Sequence, residues 1–416
     1  MGMVLVKLEQ STYPVNEKQL AAAEKRWRQQ IREGNFTNPE EKIKKLDEDM
    51  CIMVACVYAL ARDGPEGFKK TVDYFLPDEG KKTHRNHLLA ALHHLPSAYA
   101  TQASNRMTLL YFILGSLDLL HALPEQDGDQ NRAICDWIYS CQSAAPQGGF
   151  CGMPGDAFPS TANTYTALAS LTILGDGMRR LDRERLSHFI AKQQLPNGCF
   201  AGGPFLSPTE ANADMRFVYC AAASCRLAGL CPADVFDVHK TVRFIEGSLN
   251  RLGGFGQAEG LEGHGGSTYC ATAALSNLLD GFCCHGDSLA DLDGRERVLQ
   301  WLLMRQSAMS GIEGRVGKPP DACYSFWVQA AVILTGGEAF LTHEGTVAFL
   351  RQCEHAKGGF AREPGCHPDL LHTYMSLCGL SFAGLLPPID ASLGITLRAR
   401  ATVNALRQAD WCDGPC

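Results

Sequence analysis

No stretch of this 416-residue sequence is apolar for long enough to span a bilayer; the longest runs, such as Cys51 to Ala61, fall well short. No signal peptide opens the chain, and the start Met1-Gly2-Met3-Val4-Leu5-Val6 lacks the Ser or Thr of a myristoylation signal. An excess of positive charge is also missing. The net charge of −7 provides no global basic field for nucleic acid or a membrane surface, so any anion site must be local. Cysteine is abundant, at 18 residues, but disulfide-scaffold spacing is absent: Cys135, Cys141, Cys220, Cys225, Cys270 and Cys378 fall inside apolar helical runs. These features predict free thiols in a reducing, cytoplasmic compartment.

What the sequence does contain is a repeat. From Lys82 onward each unit carries an aromatic-aliphatic pair on a first helix: Trp137-Ile138, Phe189-Ile190, Phe244-Ile245, Trp301-Leu302 and Phe349-Leu350. A glycine-rich turn follows, with a bulky residue at Phe150, Phe200, Phe255, Ile312 or Phe360, eleven residues on in the last four units and thirteen in the first. A second helix rich in small residues then runs Tyr165 to Leu174, Phe217 to Leu227, Thr268 to Leu279, Tyr324 to Leu334 and His372 to Phe382. Leu88 to Leu95 and Met107 to Leu120 read as an earlier, sixth pair. Helix pairs at this period give an all-α fold, either an α/α toroid of two concentric rings or a linear solenoid. A solenoid wants polar capping repeats. Ala167, Ala169, Ala221, Ala222, Ala223, Ala271, Ala274, Ala330 and Ala331 suit the crowded inner ring of a toroid. Residues 1–81 differ in character. Asn16 to Arg32 reads as a charged amphipathic helix with Leu20, Trp27 and Ile31 as apolar contacts, Asn38 to Met50 is charge-rich, and Gly64-Pro65 marks a turn. The expected organisation is an N-terminal helical extension (1–81), the barrel (82–388) and a C-terminal tail (389–416).

Chemistry concentrates in Gly314 to Trp327, Gly-Arg-Val-Gly-Lys-Pro-Pro-Asp-Ala-Cys-Tyr-Ser-Phe-Trp. Pro319-Pro320 stiffens the approach to a helix. Asp321 and Cys323, with a distant His, make a zinc site with one open position, or else a helix cap and a buried thiol. Arg315 and Lys318 suit an anion such as a diphosphate, or are solvated loop charges. Three other turns carry polar residues before their second helix: Asp214-Met215-Arg216, His264-Gly265-Gly266-Ser267-Thr268-Tyr269-Cys270, and Arg362 followed by His367-Pro368-Asp369-Leu370-Leu371-His372.

With these motifs in order, roughly Lys82 to Leu406 resembles the β subunits of protein prenyltransferases, most closely the type I geranylgeranyl branch. The resemblance implies an α/α toroid, one zinc ion, an isoprenoid diphosphate (geranylgeranyl diphosphate in this branch) and a helical α subunit as heterodimer partner. It places the zinc ligands on Asp321, Cys323 and His372, with His367 as the competing histidine. Lys318 and Tyr324 join these as catalytic residues, and His264, Arg315, Lys318 and Tyr324 bind the diphosphate. Arg216, Gly266, Cys270 and Trp327 would wall the lipid tunnel, while Tyr219 reads as core. Leu371, Phe112 and Ser104 would share the pocket for the last residue of a CaaX-ending substrate, such as a small GTPase, with Met375 beside it where an aromatic is usual.

Two positions sort the branches. Thr108 stands where the farnesyl enzyme carries a large aromatic, which leaves room for a C20 chain. Arg362 stands where magnesium-assisted relatives have a carboxylate and the type I enzyme a lysine, so zinc and no magnesium is expected. Asn212 occupies a position that is often Glu in the family, with Glu210 nearby. The alternatives are a farnesyltransferase or Rab-type β subunit, a terpene cyclase, for which Asp291-Leu292-Asp293 is the only acidic candidate, and a non-catalytic toroid serving as a binding scaffold.

Overall fold

The computed structural model describes residues 78–143, 148–203, 212–279, 294–307 and 311–410. The readings made above for the N-terminal helices, Glu210 and Asp291 to Asp293 lie outside these residues. The described part is helical, with helices in outer and inner alternation. The outer helices are α1 (Asp78–His93), α3 (Asp129–Ser140), α5 (Arg183–Gln193), α8 (Val238–Gly247), α10 (Arg295–Leu303) and α12 (His343–Cys353). The inner helices are α2 (Arg106–Leu119), α4 (Thr161–Ile173), α6 (Met215–Ala228), α9 (Gly265–Leu279), α11 (Tyr324–Leu334) and α13 (Leu370–Phe382). A single turn, α7 (Pro232–Val235), precedes α8, and α14 (Leu397–Asp410) follows the last pair. The expected boundary at 81–82 falls inside α1 rather than between elements.

The repeat signal has a packing cause. The aliphatic member of every outer pair, Ile138, Ile190, Ile245, Leu302 and Leu350, is fully buried. So are the turn residues Phe150, Phe200 and Phe255, with Ile312 and Phe360 nearly so. The backbone N–H of Phe150, Phe255 and Phe360 donates to a threonine on the following inner helix: Thr164, Thr268 or Thr373, each at 3.0 Å. Each turn thus has both its apolar side chain and its buried N–H satisfied by the same helix pair.

The inner helices pack in the order α2, α4, α6, α9, α11, α13, and α13 packs back on α2. The ring is therefore closed, and the linear solenoid is excluded. The seam is built like the other joints. At their turns units after the first press a glycine against the next outer helix: a Cβ at Gly198 would lie 2.1 Å from the Lys240 carbonyl oxygen, and one at Gly253 2.3 Å from that of Arg297. Gly358 of the last unit meets α1 of the first in the same way, 2.6 Å from the Thr83 oxygen. Small residues at the inner joints do similar work. A Cβ at Gly115 would meet the Tyr374 ring at 2.5 Å, and Ala167, Ala169, Ala221, Ala271 and Ala330 are fully buried.

The starts of the inner helices share one end of the ring. Each is tied to the next unit: Met107 N–H to Gly152 O, Thr161 to Gly202, Met215 to Gln257, Gly265 to Gly314 and Ala322 to Arg362. Leu370 N–H completes the circuit on the Tyr99 hydroxyl of the first unit, at 3.0 Å. These donors would be orphans at an isolated helix start. Their parallel arrangement aims the positive ends of the inner helix dipoles at one mouth.

The segment after Pro388, expected as a tail, fills the other end. The β1–β2 hairpin (Ile389–Asp390, Ile395–Thr396) enters beside the ends of α9 and α2, where Asn277 donates to Ser392 O at 2.9 Å and Thr396 donates to Asp118 at 2.5 Å. Its tip, Gly394, reaches a layer of buried aromatics, one from each inner helix: Tyr111, Tyr165, Tyr219, Tyr269, Phe326 and Tyr374. Tyr111 and Tyr374 donate to Gly394 O, and Tyr165 donates to Leu393 O at 2.8 Å. Tyr219 and Tyr269 extend the hydroxyl chain at 3.0 and 3.1 Å. Tyr219 is thus a core residue.

Candidate functional site

The mouth brings together residues that lie more than a hundred positions apart. Asp321 and Cys323 precede α11; the Cys323 N–H donates to Asp321 Oδ1 at 2.9 Å, folding the two side chains into one turn. His372 enters from the first turn of α13, with Nε2 3.3 Å from Asp321 Oδ1. Ligand atoms of Asp321, Cys323 and His372 all lie within 4.8 Å of one another. His367 is exposed in the preceding turn and outside this group. The Cys323 thiol is 8% exposed and the Asp321 and His372 side chains 18% and 14%, so the group is shielded yet open on one side.

Asp369, whose role sequence reasoning missed, organises the histidine. It caps α13 by accepting the His372 N–H on Oδ1 at 2.9 Å, while its Oδ2 lies 2.6 Å from His372 Nδ1. The cap spacing, Asp three residues before His at a helix start, was the available signal. A proton on Nδ1 directed at Asp369 leaves the Nε2 lone pair facing Asp321 and Cys323.

Electrostatics fit a cation. Burial alone would lower the basicity of His372, but its bonds to Asp321 and Asp369 outweigh this and push its pKa up to about 9. Burial likewise opposes ionisation of Asp321, yet the His372 and Cys323 contacts hold its carboxyl below the ordinary range. Burial and then the Asp321 charge push the Cys323 thiol well up. One carboxylate, one thiol and one imidazole, gathered with a proton between two of them, are a donor set that a soft divalent ion satisfies.

On the other side of α11, Tyr324 points toward α9. Its hydroxyl is 3.0 Å from His264 Nε2, while the Gly266 N–H donates to His264 Nδ1 at 3.0 Å. Burial, then the nearby Arg315, lowers the His264 pKa. Burial raises that of Tyr324. Arg315 lies 3.4 Å from Glu262 and Lys318 is exposed in the same loop. Arg216 is exposed and paired bidentately with Asp214, at 2.6 Å for the closest contact. Arg362 lies with Nε 3.3 Å from Asp321 Oδ2 and Nη2 4.0 Å from Glu363 Oε1. Cys270 is buried a turn inside α9, and half-buried Trp327 packs on Tyr269 at 5.0 Å.

Of the residues chosen for branch and substrate specificity, Thr108 and Phe112 lie on α2. Half-buried Thr108 donates to Asn163 Oδ1 at 3.3 Å, and Asn163 in turn donates to Ser104 O at 3.0 Å. Phe112 is buried and stacks on Tyr374 at 5.7 Å. Leu371 is half-buried beside His372, Met375 is buried in α13, and Asn212 is exposed. Among the described residues no helix is long and apolar enough to cross a membrane.

A closed ring of helix pairs with an oxygen, sulfur and nitrogen donor group and several cations at one mouth defines a class, the α/α toroids. Comparison with known proteins makes this specific. A family model described as the prenyltransferase alpha-alpha toroid domain matches residues 80–395, and the chain belongs to this family. The geranylgeranyl transferase type-1 subunit beta of Arabidopsis thaliana is 33% identical over 332 residues, covering 73% of this chain and 86% of that one. That of Dictyostelium discoideum is 30% identical over 336 residues, covering 72% and 89%. The structure of Candida albicans protein geranylgeranyltransferase-I complexed with GGPP has the same fold, with a TM-score of 0.68 at 22% identity, covering 79% of this chain and 98% of that one.

Proposed function

We propose that this chain is the catalytic β subunit of a heterodimeric type I protein geranylgeranyltransferase. It would transfer a C20 group from geranylgeranyl diphosphate to the cysteine of proteins ending in Cys-a-a-Leu, in the cytosol. The observation that carries the reading is the division of labour around α11. Metal-type donors lie toward α13 and anion-type donors toward α9, on consecutive residues Cys323 and Tyr324.

Asp321, Cys323 and His372 would hold zinc, which supplies a Lewis acid able to favour the thiolate of a substrate cysteine in the remaining position. In the reaction a carbon–sulfur bond forms at carbon 1 of the lipid and the bond to the diphosphate oxygen breaks. The electron pair leaves with diphosphate, and the thiol proton passes to solvent. Arg315, Lys318 and the Tyr324 hydroxyl would supply donors to that growing charge. Arg362, a fixed cation beside Asp321, supports a reaction that needs no magnesium. Thr108 on α2 supports room for the longer lipid.

The test is co-expression with a helical α subunit, zinc analysis of the purified heterodimer, and transfer assays with C20 and C15 diphosphates on peptides ending in Leu or Met. About one zinc and preferred C20 transfer to the Leu peptide are expected. Preferred C15 transfer to the Met peptide would replace this reading with the farnesyl branch. Lipid binding without transfer would leave a scaffold.

A further inference from the structure

The metal-type donors come from two helices, so their grouping depends on how α11 and α13 meet just behind them. Ser325 lies at that meeting point, two residues after Cys323 and 2% exposed. Its hydroxyl faces two carbonyls, Ala322 O at 2.6 Å and Met375 O at 3.1 Å. One hydrogen directed at two acceptors makes a three-centre bond, an arrangement common at helix ends. The first acceptor belongs to the residue between Asp321 and Cys323. The second belongs to the main chain of α13, three residues after His372. Ala322 is thereby held at both ends, because its N–H donates to Arg362 O at 2.9 Å.

The contact is close because residue 379 is glycine. A Cβ there would stand 2.5 Å from Ser325 Oγ and 2.6 Å from Ser325 Cβ. Leu350 of α12 closes the same spot from the outer ring, 3.3 Å from that Cβ position. Four residues on, and so on the same face of α11, stands Gln329, which is fully buried. Its Nε2 donates to Ser325 O at 2.6 Å, and its Oε1 lies 3.0 Å from Nδ1 of His343 at the start of α12. Buried polar groups cost stability unless they are paired. Here both are paired, and through them α11 is bonded to both helices of the last unit.

We infer that Ser325 is a positioning residue for the metal group: its hydroxyl joins the peptide between Asp321 and Cys323 to the α13 backbone behind His372, and so sets the spacing of the donors on the two helices. A side chain bonded to a neighbouring main chain fixes one backbone against the other. Two facing side chains, such as Tyr165 and Tyr219, can instead follow their rotamers. A metal centre is sensitive to this, since ligand distances must hold to within about 0.2 Å.

The inference rests on the metal reading under the proposed function, and cobalt binding separates the two. The metal-free heterodimer is titrated with Co²⁺, with affinity and ligand-field bands recorded, for the unsubstituted protein, Ser325→Ala, Gly379→Ala and Val332→Ala. Ser325→Ala removes the hydroxyl without adding bulk. Gly379→Ala forces the two helices apart from the other side. Val332→Ala truncates a fully buried residue near the far end of α11 and controls for plain destabilisation. Cobalt affinity is expected to fall about tenfold in Ser325→Ala, the lower end of what supporting groups contribute, with altered ligand-field bands, and at least as far in Gly379→Ala. Val332→Ala should lower the melting temperature and leave both cobalt readouts unchanged. Lipid diphosphate affinity, which draws on the α9 side, should be unchanged in Ser325→Ala. Native cobalt affinity and bands in Ser325→Ala, an equal effect in Val332→Ala, or a matching loss of diphosphate affinity would overturn the inference and leave the metal reading intact. If Gly379→Ala does not assemble, Ser325→Ala against Val332→Ala decides alone. An unsubstituted heterodimer that binds no cobalt would overturn the metal reading itself, and the inference with it.

Discussion

Replacing Asp369 with asparagine removes a negative charge from beside His372 while leaving an oxygen for the helix cap. In the native chain Oδ1 accepts the His372 N–H at 2.9 Å and Oδ2 meets Nδ1 at 2.6 Å, so one residue performs two separable tasks. Asparagine is as good a cap as aspartate. Its amide can still reach Nδ1, but as a neutral acceptor or as a donor that demands the wrong tautomer. Outer-shell carboxylates on metal-binding histidines are worth about 10–100-fold in metal affinity, or about 1.4 to 2.7 kcal/mol. Asp369→Ala loses the cap as well, a further cost of about 1 kcal/mol to the start of α13. The assay is zinc affinity by competition with a chromophoric chelator, repeated with cobalt so that the ligand field reports coordination, together with thermal melting of the metal-free protein. Weaker metal binding in Asp369→Asn at unchanged metal-free stability is expected, with both properties reduced in Asp369→Ala. Zinc affinity unchanged in Asp369→Asn would show that the contact to His372 Nδ1 does not support metal binding and would refute the reasoning.

Three further outcomes are expected. Thr108→Trp should lower C20-over-C15 selectivity by on the order of tenfold or more, because it overfills space next to Asn163; competition between the two diphosphates measures this, and an unchanged ratio places the end of the tunnel elsewhere. Gly394→Ala should destabilise the ring by about 1–3 kcal/mol, since Gly394 has φ +62° and a Cβ there would stand 2.8 Å from the Tyr111 hydroxyl. An unaltered melting temperature would contradict the role of that tip. Arg362→Asp should slow transfer and make the rate respond to magnesium, read from single-turnover rates across magnesium concentrations; strong magnesium stimulation of the unsubstituted enzyme would remove the role given to Arg362.

Much of the ring was legible because its repeat rests on local packing. An aromatic-aliphatic pair followed eleven residues later by a bulky turn residue reports one helix hairpin, and Ile190 with Phe200 or Leu350 with Phe360 proved to be buried partners of such hairpins. Closure was a different matter. The contacts that distinguish a toroid from a solenoid, His84 with the Gly359 N–H and Tyr99 with the Leu370 N–H, join residues 275 and 271 positions apart and leave no periodic trace. The inner helices α4, α6 and α9 were read two to four residues short at their starts, since Thr161, Met215 and Gly265 begin helices with N–H groups satisfied by the following unit rather than by a local cap alone. Asp321, Cys323 and His372 were visible as ligand types at motif positions. Asp369 was hidden because a capping aspartate looks the same whether or not its second oxygen holds a histidine.

The tethers between units also explain why a site assembled from distant motifs can be rigid. Every inner helix start is bonded to the turn that follows it in the ring, so the Gly314 turn carries the α9 tether and packs against Tyr324, while the Arg362 carbonyl holds the Ala322 N–H between the two metal-type residues. The position of α11 is therefore fixed from both neighbours, and the donor group and the phenol on its first turn cannot shift independently. A carbon–sulfur bond replacing a carbon–oxygen bond requires the incoming and outgoing groups to stay apart and aligned throughout. In the proposed reaction that separation would correspond to the change of side between Cys323 and Tyr324 at one helix start, with both flanking helices held by the closed ring.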